Sequence, residues 1–255
     1  MKKFLISSCI FFVLGNVDAQ YSRIDKLAYT GYYNWGFIWV KAGAVDFSLH
    51  DSKKYDNATR VEAIGYSISS WDWVFKLRDT LVCHFDKSTL LPYESYRRTH
   101  EGNFHKNFDY VWDYPDQRIW ASYHRRGKEK ILDTIPCKPQ THDMLSAMWY
   151  VRYLDYDNYK TGDIIPMKIL IDDKVEDLHI RYLGLKRLKL EKSERDCYVF
   201  SPLLVAGEVF KGGETMKIWV SKDEERLPLM VEAEILIGSV KGIIDLSKSR
   251  YEKKR

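Results

Sequence analysis

Across most of this chain, apolar and polar residues alternate one by one. Val45, Phe47 and Leu49 fall on one side of such a run, and Asp46 and Ser48 on the other. The same rhythm recurs over residues 73–77, 104–112, 119–123, 176–182, 216–220 and 229–237. Side chains of an extended chain point alternately up and down, so a period of two marks strands with one face in a core and one in water. Turn formers punctuate the runs: Asp-Tyr-Pro-Asp at 113–116, Asp172-Asp173-Lys174 and Asp223-Glu224-Glu225.

One segment changes period. Over 141–154, Met144, Met148 and Val151 recur at helical spacing, with Leu145 and Trp149 beside them. Thr141 or Asp143 can accept the unpaired N–H groups at its start. Many strands and one helix predict a mostly β fold. The expected form is a curved antiparallel sheet, or an open or closed barrel, with the 141–154 helix packed on it or in it. With no linker and no internal repeat, residues 20–246 read as one domain.

The chain opens with Lys2 and Lys3, an apolar run from Phe4 to Leu14, and small residues before Gln20. This is the layout of a secretory signal peptide over 1–19, too short to span a membrane. Ile6-Ser7-Ser8-Cys9 also resembles a lipoprotein cleavage site, but its apolar core would be only about five residues, short of the seven or so required. Export to the periplasm is expected, with membrane association only if Cys9 carries a lipid. The formal charge of +4 over 255 residues is mild. Nucleic-acid binding is not expected, because it needs basic residues clustered on one stripe. The basic cluster within 247–255 reads as a solvated tail.

Chemistry-bearing patterns are sparse. Phe210-Lys211-Gly212-Gly213 lacks the lysine and hydroxyl residue of a phosphate loop. Gly65-Tyr66-Ser67-Ile68-Ser69 lacks the closing glycine of a nucleophile elbow. His100 and His105 are five apart in a strand–turn–strand setting, not at the helical spacing of zinc ligands. Neither a cofactor nor a metal is expected. Cys83, Cys137 and Cys197 remain beyond the leader, which permits one bridge and one buried thiol.

The aromatic runs are the most suggestive feature. Trp35-Gly36-Phe37-Ile38-Trp39 and Trp71-Asp72-Trp73-Val74-Phe75 put large rings on both sides of an extended chain. Such a strand is buried on both faces or lines a cavity. Trp71, Trp73, Phe75 and the helical Trp149 are therefore candidates for a ligand pocket.

The order of short motifs resembles a known family. Leu27-Ala28-Tyr29 precedes Gly36-Phe37-Ile38-Trp39-Val40-Lys41-Ala42-Gly43. Ile64-Gly65, Arg78-Asp79, Leu90-Leu91-Pro92 and Glu101-Gly102 follow. Then come the helix Asp143-Met144-Leu145-Ser146-Ala147-Met148-Trp149-Tyr150-Val151-Arg152, Ile218-Trp219-Val220-Ser221, Leu227-Pro228 and Ile237-Gly238-Ser239. From about Leu27 to Leu246 the chain is similar to the exported bacterial proteins grouped as domain of unknown function 3108. The resemblance implies a β-rich exported protein of Gram-negative bacteria and supplies no activity. It also implies a disulfide, since Cys137 and Cys197 resemble a cysteine pair of the Bacteroidetes members. The first expectation is a non-enzymatic protein binding an apolar or lipid-like ligand. The alternative is an envelope scaffold that engages another protein through a sheet edge or an aromatic patch.

Overall fold

The computed structural model describes residues 24–35, 37–73, 76–102, 104–125, 128–191, 193–206 and 211–252. The 1–19 leader with Cys9, Phe75 and the last three residues of the basic tail lie outside the described residues.

Eight strands form an antiparallel meander: β1 (Ile24–Trp35), β2 (Ile38–Asp51), β3 (Ala58–Ser67), β4 (Arg78–Asp86), β5 (Pro92–Glu101), β6 (Phe104–Asp113), β7 (Arg118–Arg125) and β8 (Ile131–Pro136). A short β9 (Thr141–His142) and the helix α1 (Met144–Val151) follow. A second meander comprises β10 (Ile164–Ile171), β11 (Lys174–Leu190), β12 (Ser193–Pro202), β13 (Met216–Ser221), β14 (Pro228–Glu234) and β15 (Ser239–Ile244). β1 pairs with β15, which joins the two meanders into one sheet running from β8 through β1 and β15 to β9. β16 (Arg250–Tyr251) pairs with β1 at Ile24 and Lys26, so part of the expected solvated tail is a strand instead.

The alternation read from sequence maps onto buried and exposed faces. In β6, Phe108, Tyr110 and Trp112 are buried, while Val111 between them is exposed. The sheet curls without closing. Phe108, Ile119 and Cys137 from the β6–β8 region share a core cluster with Leu170 of β10, against which Val175 of β11 packs. The curl leaves an interior that α1 fills. Leu145 and Trp149 pack among Leu27, Phe47, Val61 and Phe85 on one wall and Val199 and Leu229 on the other. Ala147 and Val151 pack against a second cluster with Tyr156, Ile165, Tyr182 and Phe200.

The helix is shorter than the 141–154 its pattern predicts. Asp143 is the N-cap: its side chain accepts the Ser146 N–H at 2.8 Å, and the Asp143 N–H donates to Ser146 Oγ at 3.0 Å. This reciprocal pair satisfies two donors that would otherwise be orphaned, and it fixes the start. Thr141 and His142 join the sheet instead, parallel to Lys168 and Ile169. At the other end Arg152, only 1% exposed, leaves the helix to donate to the Arg226 and Glu225 carbonyls at 3.0 and 2.8 Å. The helix is thereby tied to the β13–β14 turn. Among the described residues, no helix is long and apolar enough to cross a membrane.

Of the expected strand at 73–77, Trp73 lies in a turn and Leu77 makes an isolated antiparallel bridge with Glu101, while residues 74 and 75 lie outside the described residues. After β3 the chain makes a 3-10 turn, Ser69–Trp71, and wraps around its own polar side chains. Ser67 Oγ accepts the Leu77 N–H at 3.0 Å and bonds Asp72, and Arg78 pairs with Asp72 at 2.7 Å. Local side-chain partners of this kind compete with a sheet ladder, and here they sit beside the ladder bonds from the Ser67 N–H to the Leu77 carbonyl and from the Gly102 N–H to the Lys76 carbonyl.

The disulfide is likewise a correction. Cys83, Cys137 and Cys197 are all free and buried. Cys137 packs in the β6–β8 cluster and Cys197 in the central cluster around the helix, so the two thiols belong to different parts of the core. Burial pushes the Cys197 thiol up to about 11 and disfavours the thiolate that forms disulfides.

Candidate functional site

In a meander, every second connection emerges at the same end of the sheet. The β1–β2, β3–β4 and β14–β15 connections share one end, and their strands are neighbours in the order β4-β3-β2-β1-β15-β14. That end carries an apolar rim. Phe37 is fully exposed, Trp73 is 85% exposed and Ile237 is 78% exposed, with Ile38 and Leu236 also outside. Hydrogen bonds and a close approach tie the rim connections to their neighbours. The Tyr33 hydroxyl donates to the Ile237 carbonyl at 3.2 Å, tying two hairpin tips together. Gly238, at φ +81°, lets the second tip pass so close that a Cβ there would meet the Asn34 carbonyl at 2.9 Å. The Ile68 N–H donates to the Ala42 carbonyl at 3.0 Å and pins the Trp73 connection beside β2. Large apolar side chains clustered on one exposed end, rather than scattered, mark interaction surfaces.

A second feature lies where the sheet fails to close. Asp172, in the β10–β11 turn at φ +50°, reaches the other meander. It pairs with Arg97 of β5 and, at 2.9 Å, with Lys106 of β6, while the Tyr110 hydroxyl donates to its carbonyl at 2.7 Å. Both cations also lie over the Phe108 ring, at 4.5 and 4.4 Å from its centroid. Burial pushes the Asp172 carboxyl up, but the Lys106 and Arg97 bonds outweigh it and hold the group below its ordinary range. Next to this node is a cleft of about 250 Å³ whose lining includes Lys106, Phe108, Tyr123, Ile131 and Asp173.

A third cluster brings Cys83, His142, Asp143 and Ser146 together under the helix start. His142 Nδ1 lies 3.3 Å from Ser146 Oγ, and the Cys83 thiol bonds Asp143. In composition this is the material of nucleophilic catalysis, but its environment works against it. All four residues are buried. Burial raises the Cys83 thiol well above its usual range and lowers His142 to about 4. An activated nucleophile needs a depressed thiol and a base poised near neutrality, so both shifts run the wrong way. The cluster is a helix cap.

The family model for proteins of unknown function, DUF3108, matches residues 28–245. The chain belongs to the DUF3108 family. No curated protein matches it. Among solved structures it is similar to a β-barrel-like protein of domain of unknown function DUF1849 from Brucella abortus. The two share 10% sequence identity and a TM-score of 0.55, over 91% of this chain and all of that one. At that identity the likeness concerns the fold: a β-barrel-like sheet, here large, curved and unclosed.

The three described pocket candidates of this DUF3108 member do not converge. Trp149 is buried in the central core, Trp71 is half-buried in the 3-10 turn, Trp73 projects from the rim, and Phe75 lies outside the described residues. None of the three described rings lines the 250 Å³ cleft or a smaller cavity of about 20 Å³ between Arg97 and Asp143. His100 and His105 face each other across the β5–β6 hairpin, their rings 4.8 Å apart. Among the described residues no three His, Cys, Asp or Glu side chains are grouped to hold a metal. Sequence reasoning missed Arg97, Lys106 and Asp172. The only available signal was the Asp172-Asp173 turn, which shows where the chain reverses and not what it meets.

Proposed function

We propose that this protein is an exported, non-enzymatic component of the cell envelope that works by docking a partner protein on its apolar rim. The observation that carries this reading is the rim itself: Phe37, Ile38, Trp73, Leu236 and Ile237 exposed together on adjoining connections. The leader-like first 19 residues support export. The expected apolar-ligand pocket finds less support. Its described candidate rings are apart, and the 250 Å³ cleft has charged walls and is smaller than the roughly 300–1,000 Å³ of small-molecule sites.

The test is a triple variant, Phe37→Ser, Trp73→Ser and Ile237→Ser, expressed in the native host. Surface residues of this kind contribute little to folding, so its melting temperature should stay near that of the parent. Site-specific photo-crosslinkers at Ile38 and Leu236 should capture a discrete envelope protein in the parent and lose it in the variant. Crosslinks that persist unchanged in the triple variant would refute the rim as the docking surface.

A further inference from the structure

We propose that His100 and His105 form an exchangeable copper(II) site near the tip of the β5–β6 hairpin. This goes beyond the docking reading and uses none of the rim residues.

The two histidines are five apart in sequence, the wrong spacing for zinc ligands on a helix. On a hairpin the spacing that matters runs across the strands. His100 and His105 are direct partners in the β5–β6 ladder. The His100 N–H points away from β6 and donates to the Asp79 carboxylate of β4 at 2.9 Å. In an antiparallel ladder the N–H and C=O of one residue face the same neighbour, so His100 and His105 are a non-hydrogen-bonded pair, the kind whose Cα atoms approach to about 4.5 Å. His105 projects from the outer face of β6, since Phe108 and Tyr110 fill the inner one. His100 is exposed and His105 half-buried, so solvent reaches both.

The separation of the rings matches shared ligation. An imidazole nitrogen binds a metal at about 2.0–2.1 Å, which puts the centre of its ring about 3.2 Å from the ion. Two such rings at about 90°, the angle of adjacent square-planar ligands, have centres about 4.5 Å apart, and at the tetrahedral angle about 5.2 Å. The observed centres are 4.8 Å apart, with the ring planes at 73°. That distance lies between the two values and nearer the first, which copper(II) favours. Copper(II) also binds nitrogen donors more tightly than the other first-row divalent ions. The backbone is braced from β4 by the Asp79 bond and by the Gly102 N–H, which donates to the Lys76 carbonyl at 2.7 Å. Bracing reduces the ordering cost of chelation. Among the described residues no third His, Cys, Asp or Glu joins the pair. Water therefore completes the coordination, and the ion exchanges freely instead of being locked into a closed structural site.

The experiment titrates the whole mature protein with copper(II) chloride in a buffer that does not bind copper. Binding should be saturable. In amide NMR spectra the paramagnetic ion should first broaden the signals flanking His100 and His105. Signals beside His50, an exposed histidine on β2, should stay sharp. His100→Gln and His105→Gln should each weaken binding at least about tenfold, because the second imidazole no longer comes from the same hairpin. His50→Gln should bind like the parent. The substituted positions face solvent, so melting temperatures near the parent's should show that each variant is folded. Three results would overturn the site: no saturable binding at millimolar copper(II), binding unmoved by both His100→Gln and His105→Gln, or first broadening centred away from the β5–β6 hairpin.

Discussion

Trp149 and Trp73 carry the same side chain into opposite settings. Trp149 rises from α1 into the interior, 6% exposed, with Arg152 stacked 4.9 Å from its ring and both walls of the sheet around it. Trp73 stands on the rim, 85% exposed, on a connection pinned by Ser67, Asp72 and Arg78. The contrast extends to the regions around them. In the helix region apolar area is spent on folding, and the polar groups there are satisfied by caps and carbonyls. On the rim, hydrogen-bonded connections hold out apolar area that folding leaves unused. The first region answers to stability, and the second to whatever touches it.

The largest expected effect tests the core side of this contrast. Trp149→Ala should destabilise the protein by about 3–5 kcal/mol, the range for truncating a buried large aromatic. Urea denaturation measures it, and a midpoint within error of the parent's would break the contrast. A second test uses acid. Burial holds His142 at about 4 in the folded state, against an ordinary value of 6.5. Between those pH values the unfolded chain binds a proton that the folded one refuses. The contribution of His142 to stability is therefore complete above pH 6.5 and is lost as pH falls toward 4, by roughly 3 kcal/mol at most. Asp143, raised by its own burial, has the opposite sign and offsets part of the loss near the low end. His142→Gln should flatten the fall in stability between pH 6.5 and 4.5, and a slope equal to the parent's would place His142 in water.

Smaller effects sharpen the boundary. Asp143→Ala removes the N-cap acceptor of α1 and should cost about 1 kcal/mol at pH 7. Asp143→Asn keeps an acceptor without the buried charge and should cost less, so the order of the two midpoints separates capping from charge. At the small end, Trp73→Ser should move stability by no more than about 0.5 kcal/mol. The same substitution should remove envelope crosslinks from Ile38. A large loss of stability would mean that Trp73 belongs to the fold after all.

Local regularities were legible in the sequence. The alternation at 45–49, 104–112 and 176–182 lies within β2, β6 and β11, and the break in period at 141–154 marks the one α-helix among the described residues. The Asp172-Asp173 turn also falls where it was expected. What failed to show depends on distant or competing partners. Trp73 and Leu77 alternate like a strand, but Trp73 lies in a turn held by Ser67, Asp72 and Arg78, and only Leu77 bridges Glu101. Ile235 and Ile237 continue the rhythm of β14, yet the chain is already turning there, with the Ile235 N–H donating to the Gly238 carbonyl. The seam node joins Arg97 to a residue 75 positions away, a relation no local pattern encodes. The architecture followed from the many alternating runs and the single helical segment, and the family resemblance agreed with its β-rich character. The resemblance also suggested the Cys137–Cys197 bridge, which the core keeps apart.

The pairing of β1 with β15 has a consequence for the order in which the chain assembles. Most of the ladder joins strands that follow one another in sequence and can zip up hairpin by hairpin. β1 is the exception: Tyr29 pairs with Ile244 and Tyr33 with Val240. Loop closure over such a distance is slow, and contacts that span most of a chain delay folding. As the polypeptide emerges from its N-terminus, β2 can cover one side of β1 early, but the other side waits for Ser239–Ile244 to be made. Throughout that interval an apolar strand stands open beside its hairpin partner. The nascent protein therefore passes through a sticky, half-zippered stage whose lifetime is set by its last strands.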